Sequence, residues 1–438
     1  MSATPLTVGL LHYTAPPVVG GVEQVLGQHA RLLAEAGHAV RVVAGRGGEP
    51  DPRIEFIRVP RADTRHPEIV RLQAELAEGR VPPDFEAVVG EVRAELASAL
   101  VGVEVLFVHN VGSLNRNLAL TAAVHEIAGG VGAPRLVLWH HDLAWALPAY
   151  RRGLHPGWPW DLLRRPWPGA AQVTISEARR AALAELMDIP LAGIRVVPNG
   201  IDLTALLGLA PATLRLVRAG GLLGFDPLIL LPARITPRKN VELALRVVAA
   251  LRAAGRPRAG LVVTGPVDPH EPAAAAYFAA LLRLRRELDL KSAAIFLAEL
   301  EEPALGVSLV HDLYRLADLL LLPSHDEGFG IPILEAAAHR MPIVCSDLPV
   351  LRDLAGDAAV YVAPDADPAV VAALALARLD DDPLVAFARR VRAEFSWEAV
   401  YRHGIAPLLE APAPPAQGDR ARSDRLPVPA PGGTARSR

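Results

Sequence analysis

The chain has 438 residues, a formal net charge of −3, 51% hydrophobic residues and a mean hydropathy of +0.25. That length exceeds one ordinary core and predicts two domains of a well-buried α/β protein rather than a disordered chain. The near-neutral charge argues against a nucleic-acid partner, the single cysteine, Cys345, excludes an intrachain disulfide and a cysteine-rich metal site, and no apolar run reaches the length of a membrane span. The amino terminus, MSATPLTVGLLHY, has no basic n-region and runs straight into a strand-like stretch, so the expected location is cytoplasmic.

In chain order, Leu6 to Tyr13 reads as a strand, Val22 to Gly37 as an amphipathic helix and Val40 to Ala44 as a second strand, a βαβ opening. The intervening loop, TAPPVVGGVEQ, lacks the G-x-G-x-x-G dinucleotide fingerprint. It sets Gly20 and Gly21 against a helix start, where backbone can approach an anion, although a Gly-Gly turn also serves as a plain connector. Residues 50–100 are helix-prone and carry no legible chemistry. Val103 to Val108 is a strand ending in His109 and Asn110, and Leu118 to Ala128 is a helix. Arg135 to Trp139 is a strand ending in His140, His141 and Asp142, at the carboxyl edge where parallel sheets bind ligands. No second cluster supplies metal-ligand spacing, so the paired histidines do not read as a zinc site.

Five of the six tryptophans fall within residues 139–167, together with Arg151, Arg152, Arg164 and Arg165. Three readings stay open for this stretch: an acceptor pocket, internal packing, or contact with a membrane surface. Gln172 to Ser176 follows as strand and helix cap, and Arg195 to Val197 leads into the turn Pro198-Asn199-Gly200. Residues 203–226 read as the linker and the entry to the second domain.

The second half opens with the strand Leu228 to Ala233, then Arg234 and Lys239 before a helix from Val241. A cationic pair before a helix start adds charge to a phosphate-binding end, and Lys239 is one of only two lysines in an arginine-rich chain. Leu261 to Thr264 is a strand ending in Gly265, and Ala294 to Leu297 another. Leu319 to Leu322 is a short apolar run of the buried parallel kind, followed by the loop Ser324 to Gly330 and a helix with Pro332 in its first turn. Two carboxylates flank this glycine loop, Glu327 before it and Glu335 one turn into the helix. Helix start and glycines suit phosphate, and ionised carboxylates suit neutral hydroxyls. The predicted ligand carries both phosphate and sugar. Pro342 to Cys345 and Ala359 to Val362 are the last strands, helices run from Pro368 to Leu409, and the Pro-, Ala-, Gly- and Arg-rich tail reads as disordered.

The string PSHDEGFGIPILEA resembles the E-x7-E signature of retaining glycosyltransferases of the GT-B fold, family 4 in particular, with VVPNGID and the Arg234/Lys239 spacing matching in the expected order. The resemblance covers about residues 5 to 410. It implies two Rossmann-like domains facing an interdomain cleft: residues 1–205 for the acceptor, 206–385 for the nucleotide-sugar donor, a helix over 386–410 crossing back, and the tail 411–438. It implies that Arg234 and Lys239 hold the donor diphosphate, that Glu327 binds the donor sugar and that Glu335 binds the ribose. Gly20, Gly21, Asp142, Gly265, Gly328, Phe329, Gly330 and Ile331 line the donor site, and His141 lies beside the reacting carbon. Ala233 and Ala298 stand where the family often has glycine, and the second departure leaves the base open.

The implied reaction moves a hexose, from a donor of the UDP-glucose or GDP-mannose type, to a hydroxyl of a soluble small-molecule or saccharide acceptor. It needs no metal and no cofactor beyond the co-substrate. No carboxylate offers itself as a covalent nucleophile, which favours front-side attack with retention. A nucleotide-sugar epimerase or a non-catalytic nucleotide-sugar binding protein are the alternatives. The oligomeric state is left open.

Overall fold

The computed structural model describes residues 4–48, 51–128, 130, 132–267, 273–300 and 307–410. It divides into two units, Met1–Pro198 with the chain from Gly404 onward, and Asn199–His403. The expected disordered tail, 411–438, lies outside the described residues.

The first unit is a parallel sheet in the order β3-β2-β1-β4-β5-β6-β7. Its strands are β1 (Thr7–Leu11), β2 (Ala39–Ala44), β3 (Ile54–Arg58), β4 (Val105–His109), β5 (Arg135–His140), β6 (Ala171–Thr174) and β7 (Ile194–Val196). The helices between them are α1 (Gly21–Glu35), α2 (Pro67–Ala77), α3 (Phe85–Ala99), α4 (Leu118–Ala128) and α5 (Glu177–Met187). The central strands are apolar because helices cover both faces: β4 is buried at every position. Ser176 caps α5, its hydroxyl accepting from the Arg179 N–H at 3.2 Å, as its sequence context predicts. The 50–100 stretch contains a strand that helix propensity alone hides. IEFIR mixes polar and apolar residues at the sheet edge, where Glu55 and Arg58 are exposed. The chain returns to this unit at its end, where the Arg135 guanidinium donates to the carbonyls of Leu408 and Leu409 at 2.6 and 2.9 Å.

The second unit repeats the plan in the order β10-β9-β8-β11-β12-β13. Its strands are β8 (Leu228–Leu231), β9 (Gly260–Val263), β10 (Ala294–Phe296), β11 (Leu319–Leu322), β12 (Ile343–Ser346) and β13 (Ala359–Val362). Residues 203–226 enter the second unit as α6 (Leu203–Leu206) and α7 (Pro211–Gly220), whose Leu216 and Val217 join the core with residues of β8 and β11. The helices α8 (Val241–Ala253), α9 (Ala274–Glu287), α10 (Val307–Leu316), α11 (Ile331–Ala338), α12 (Pro349–Ala355), α13 (Pro368–Asp380) and α14 (Pro383–Phe395) complete this unit. Both units are Rossmann-like. In each, the strand order reverses beside the first strand, and open α/β sheets bind ligands at that crevice.

Candidate functional site

In the second unit, β8 and β11 are neighbours, so the loops leaving their carboxyl ends meet. Backbone and side chains lock them together. The His325 N–H donates to the Arg238 carbonyl at 2.8 Å, and Asn240 Nδ2 donates to the carbonyls of Pro323 (3.0 Å) and Pro364 (2.8 Å). Lys239 Nζ donates to Glu327 Oε1 at 2.6 Å, and Ser324 Oγ donates to the same oxygen at 2.8 Å. The two charged side chains are 13% and 7% exposed, so this pair is largely withdrawn from water. Arg234 is exposed at the end of β8. Two residues expected to hold different parts of one ligand therefore hold each other.

Gly330 caps α11 at φ +96°, a conformation that side chains disfavour, and a Cβ there would lie 2.7 Å from Leu351. Gly328 has open space around it. Phe329 and Ile331 are 56% and 60% exposed, so the loop presents apolar side chains beside its backbone N–H groups. Glu335, in α11, is half-buried, and its Oε2 accepts from the Tyr314 hydroxyl of α10 at 2.7 Å. Tyr314 is almost wholly buried and stacks on His339 with ring centroids 5.7 Å apart. Burial, then the Glu335 carboxylate, push its phenol well above the ordinary range, so it stays a donor.

Gly265 has a structural reason of its own. A Cβ there would lie 2.1 Å from the Ala233 carbonyl oxygen, and its N–H donates to that oxygen at 3.1 Å. Only glycine lets the loop after β9 pack against the loop after β8. At the start of α8, the Val241 N–H donates to the Tyr277 hydroxyl at 3.1 Å, so that helix end is partly satisfied from within.

In the first unit, three adjacent strands end in histidine. His12 follows β1, His109 closes β4 and His141 follows β5. His12 Nδ1 donates to the His109 carbonyl at 2.8 Å, and His109 Nδ1 meets His141 Nε2 at 3.1 Å. Asn110, at φ +59°, turns its Oδ1 to the N–H groups of His141 (2.8 Å) and Asp142 (3.2 Å), which fixes the strand end. Asp142 lies 3.6 Å from Arg179. His29 of α1 packs against them with its ring tilted, 4.5 Å from Trp139 and 5.4 Å from His109.

Burial keeps these imidazoles neutral. Desolvation brings His141 and His29 down to about 3 and His140 to about 4, and it lowers His12 and His109 as well. Gly20 is extended at the start of α1, where a Cβ would collide with the Glu23 carboxylate at 2.1 Å. Glu23 folds back to accept from the Thr14 hydroxyl at 2.5 Å and lies 3.9 Å from His12 Nε2. Gly21 has open space around it.

Sequence reasoning singled out His141, Asp142, Glu327, Glu335, Arg234 and Lys239, and missed His12, Glu23, Asn110, Ser324 and Tyr314. The repeated histidine at strand ends was a visible signal; Tyr314, 21 residues before Glu335, was not. The tryptophans of 139–167 mostly pack: Trp139, Trp160 and Trp167 are buried, while the exposed Trp158 donates to Glu86 at 3.0 Å. Among the described residues, no group of three or more His, Cys, Asp or Glu is placed to hold a metal ion, and no helix is long and apolar enough to cross a membrane.

Two family models match the chain: Glycosyltransferase Family 4 over residues 19–205, and Glycosyl transferases group 1 over residues 218–393. A D-inositol 3-phosphate glycosyltransferase of Thermobispora bispora is 34% identical over 233 residues, covering 52% of this chain and 52% of that protein. The enzyme of the same name from Kineococcus radiotolerans is 31% identical over 259 residues, covering 53% and 57%. The O-antigen chain mannosyltransferase RfbU of Salmonella typhimurium is 39% identical over 89 residues, covering 20% and 24%. The chain thus spans about half the length of the first two relatives and less of the third.

Proposed function

The chain belongs to the group 1, family 4 type of glycosyltransferases, with the two Rossmann-like domains of the GT-B fold, and we propose that it transfers a hexose with retention from a nucleotide-sugar donor to an acceptor hydroxyl. The observation that carries this reading is the pair of oriented glutamates around a glycine-capped helix start, Glu327 on Lys239 and Ser324, and Glu335 on Tyr314. Glu335 binds the ribose hydroxyls and Glu327 the sugar hydroxyls. Arg234, Lys239 and the backbone N–H groups at Phe329 and Gly330 stabilise the charge that grows on the leaving diphosphate. With that charge supplied by the protein, we assign no metal to the step. Gly328 and Ile331 complete the donor loop, and Gly20, Gly21 and Asp142 contact the donor from the first unit's strand-end loops.

His141 contacts a sugar hydroxyl as a neutral imidazole. Its pKa near 3 makes it a poor proton acceptor, which supports a step without a histidine base. The acceptor oxygen attacks the anomeric carbon on the face from which the phosphate departs. The carbon–phosphate oxygen bond breaks as the new glycosidic bond forms, and the acceptor proton passes to the leaving phosphate oxygen.

The test is a thermal-shift panel of UDP-, GDP- and ADP-hexoses with Glu335→Ala and Lys239→Ala as controls, followed by the anomeric configuration of the product. Ligand that binds only the folded state raises its melting temperature. Stabilisation by one nucleotide, lost in both variants, with a retained anomer is the expected result. An inverted anomer overturns the retaining step, and no stabilisation by any donor overturns the site.

A further inference from the structure

Burial leaves His12, His109, His140 and His141 neutral at pH 7, so each ring carries one proton, and the place of that proton decides which nitrogen donates and which accepts. Partners settle His12 and His140. His12 Nδ1 meets the His109 carbonyl, which can only accept, so the proton is on Nδ1. His140 Nε2 meets Gln172 Oε1 at 2.8 Å, and the Gln172 amide nitrogen is turned away to the Ala170 carbonyl at 3.3 Å. The His140 proton is therefore on Nε2. Its buried Nδ1, without a partner among the described residues, is a bare lone pair.

The same preference settles His109 and His141. Their rings meet edge to edge, His109 Nδ1 lying 3.1 Å from His141 Nε2 with centroids 5.4 Å apart and planes 25° from parallel, so one of the two nitrogens donates. If His141 donated, the His109 proton would be on Nε2, which is buried and has no partner among the described residues. Trp139 lies nearly parallel to that ring, 24° off with centroids 5.5 Å apart, so an in-plane N–H does not point at its π face. If His109 donates, its orphan is a bare lone pair, as in His140. A buried N–H without an acceptor is the costlier of the two orphans, so the donor is His109 Nδ1. The Asn110 side chain, accepting from the His141 backbone N–H at 2.8 Å, holds the main chain beneath the same ring.

We propose that His109 is a positioning residue that fixes the tautomer of His141: its Nδ1–H donates to His141 Nε2, and His141 keeps its proton on Nδ1, the nitrogen left to meet a ligand, as a hydrogen-bond donor. The ligand atom it selects is an acceptor, which a hydroxyl oxygen supplies. That this hydroxyl belongs to the donor sugar rests on the glycosyl-transfer reading above; the tautomer itself stands on the packing.

The test is long-range proton–nitrogen correlation spectroscopy of the full chain at pH 7, isotope-labelled at its histidine rings, with His109→Phe and His141→Phe assigning signals by their loss. His141 should be protonated at Nδ1 and bare at Nε2, and His109 protonated at Nδ1. In His109→Phe, which keeps a ring against Trp139, His141 should show both tautomers. Calorimetric titration with UDP- and GDP-hexoses, and with UDP and GDP, gives the second readout. His109→Phe should weaken binding of the sugar nucleotide roughly five- to tenfold, leave the nucleoside diphosphate as in wild type, and add nothing in a His141→Phe background. His109→Asn, whose Nδ2–H stands as many bonds from the main chain as the imidazole Nδ1–H, should recover most of the loss. A wild-type spectrum with His141 protonated at Nε2 overturns the proposal, whether or not the variants fold. Wild-type sugar-nucleotide affinity in His109→Phe, or an equal loss in the His141→Phe background, overturns the positioning role. The expected spectrum without binding of any nucleotide hexose overturns the glycosyl-transfer reading and leaves the tautomer standing.

Discussion

Acidification from pH 7 to pH 5 should strongly destabilise the first unit, because its histidine cluster is built for the neutral imidazole. His29, His140 and His141 have folded-state pKa values of about 3, 4 and 3, below the unfolded value near 6.5. The unfolded chain therefore binds more protons across this window. Stability is full above about pH 6.5 and falls as the pH drops toward the folded values. Between pH 7 and 5 each of these three costs about 2 kcal/mol, together about 6, against a typical domain stability of about 5–15 kcal/mol. His12 and His109 shift in the same direction and steepen the loss.

Tryptophan fluorescence reads this unit, since five of the six tryptophans lie in it and only Trp397 lies in the other. The urea midpoint at pH 5 should fall far below that at pH 7. His29→Phe, which keeps an aromatic ring against Trp139 and His109, should flatten the slope by about 1.4 kcal/mol per pH unit. An equal midpoint at the two pH values would refute the reasoning.

Three further outcomes follow from the second unit. Lys239→Met should cost about 3 kcal/mol by leaving Glu327 as a buried unpaired charge, and adding Glu327→Gln should recover part of it; urea melts of both singles and the double close the cycle, and additive losses contradict the coupling. Tyr314→Phe removes one hydrogen bond to the Glu335 carboxylate and should cost about 1.5 kcal/mol of stability. In steady-state assays it should raise the donor KM more than it lowers kcat; a pure kcat loss would contradict the positioning role. Gly265→Ala should destabilise by about 2–3 kcal/mol because its Cβ meets a backbone carbonyl, whereas Gly328→Ala, with open space around it, should leave the melting temperature close to wild type.

Local pattern sufficed for most elements because a buried parallel strand and a capped amphipathic helix are specified by neighbours in sequence. Leu118–Ala128, Leu319–Leu322 and Ala359–Val362 are found where the apolar runs and their breakers predict them. The glycine loop between Glu327 and Glu335 was legible for the same reason, being one contiguous stretch. The strand Ile54–Arg58 was not, because an edge strand with Glu55 and Arg58 exposed has too short an apolar run to outweigh helix-prone flanks. Nor was the chemistry between loops. Lys239 and Glu327 are 88 residues apart, and they meet because the strand order sets β8 beside β11. His12, His109 and His141 form one cluster because β1, β4 and β5 are neighbours in the sheet. Sequence by itself determined the family, the two doubly wound units and the residue types of the glycine loop. Tertiary structure alone decided which charges compensate one another and which glycines serve packing, since each depends on strand order and burial, which no local spacing encodes.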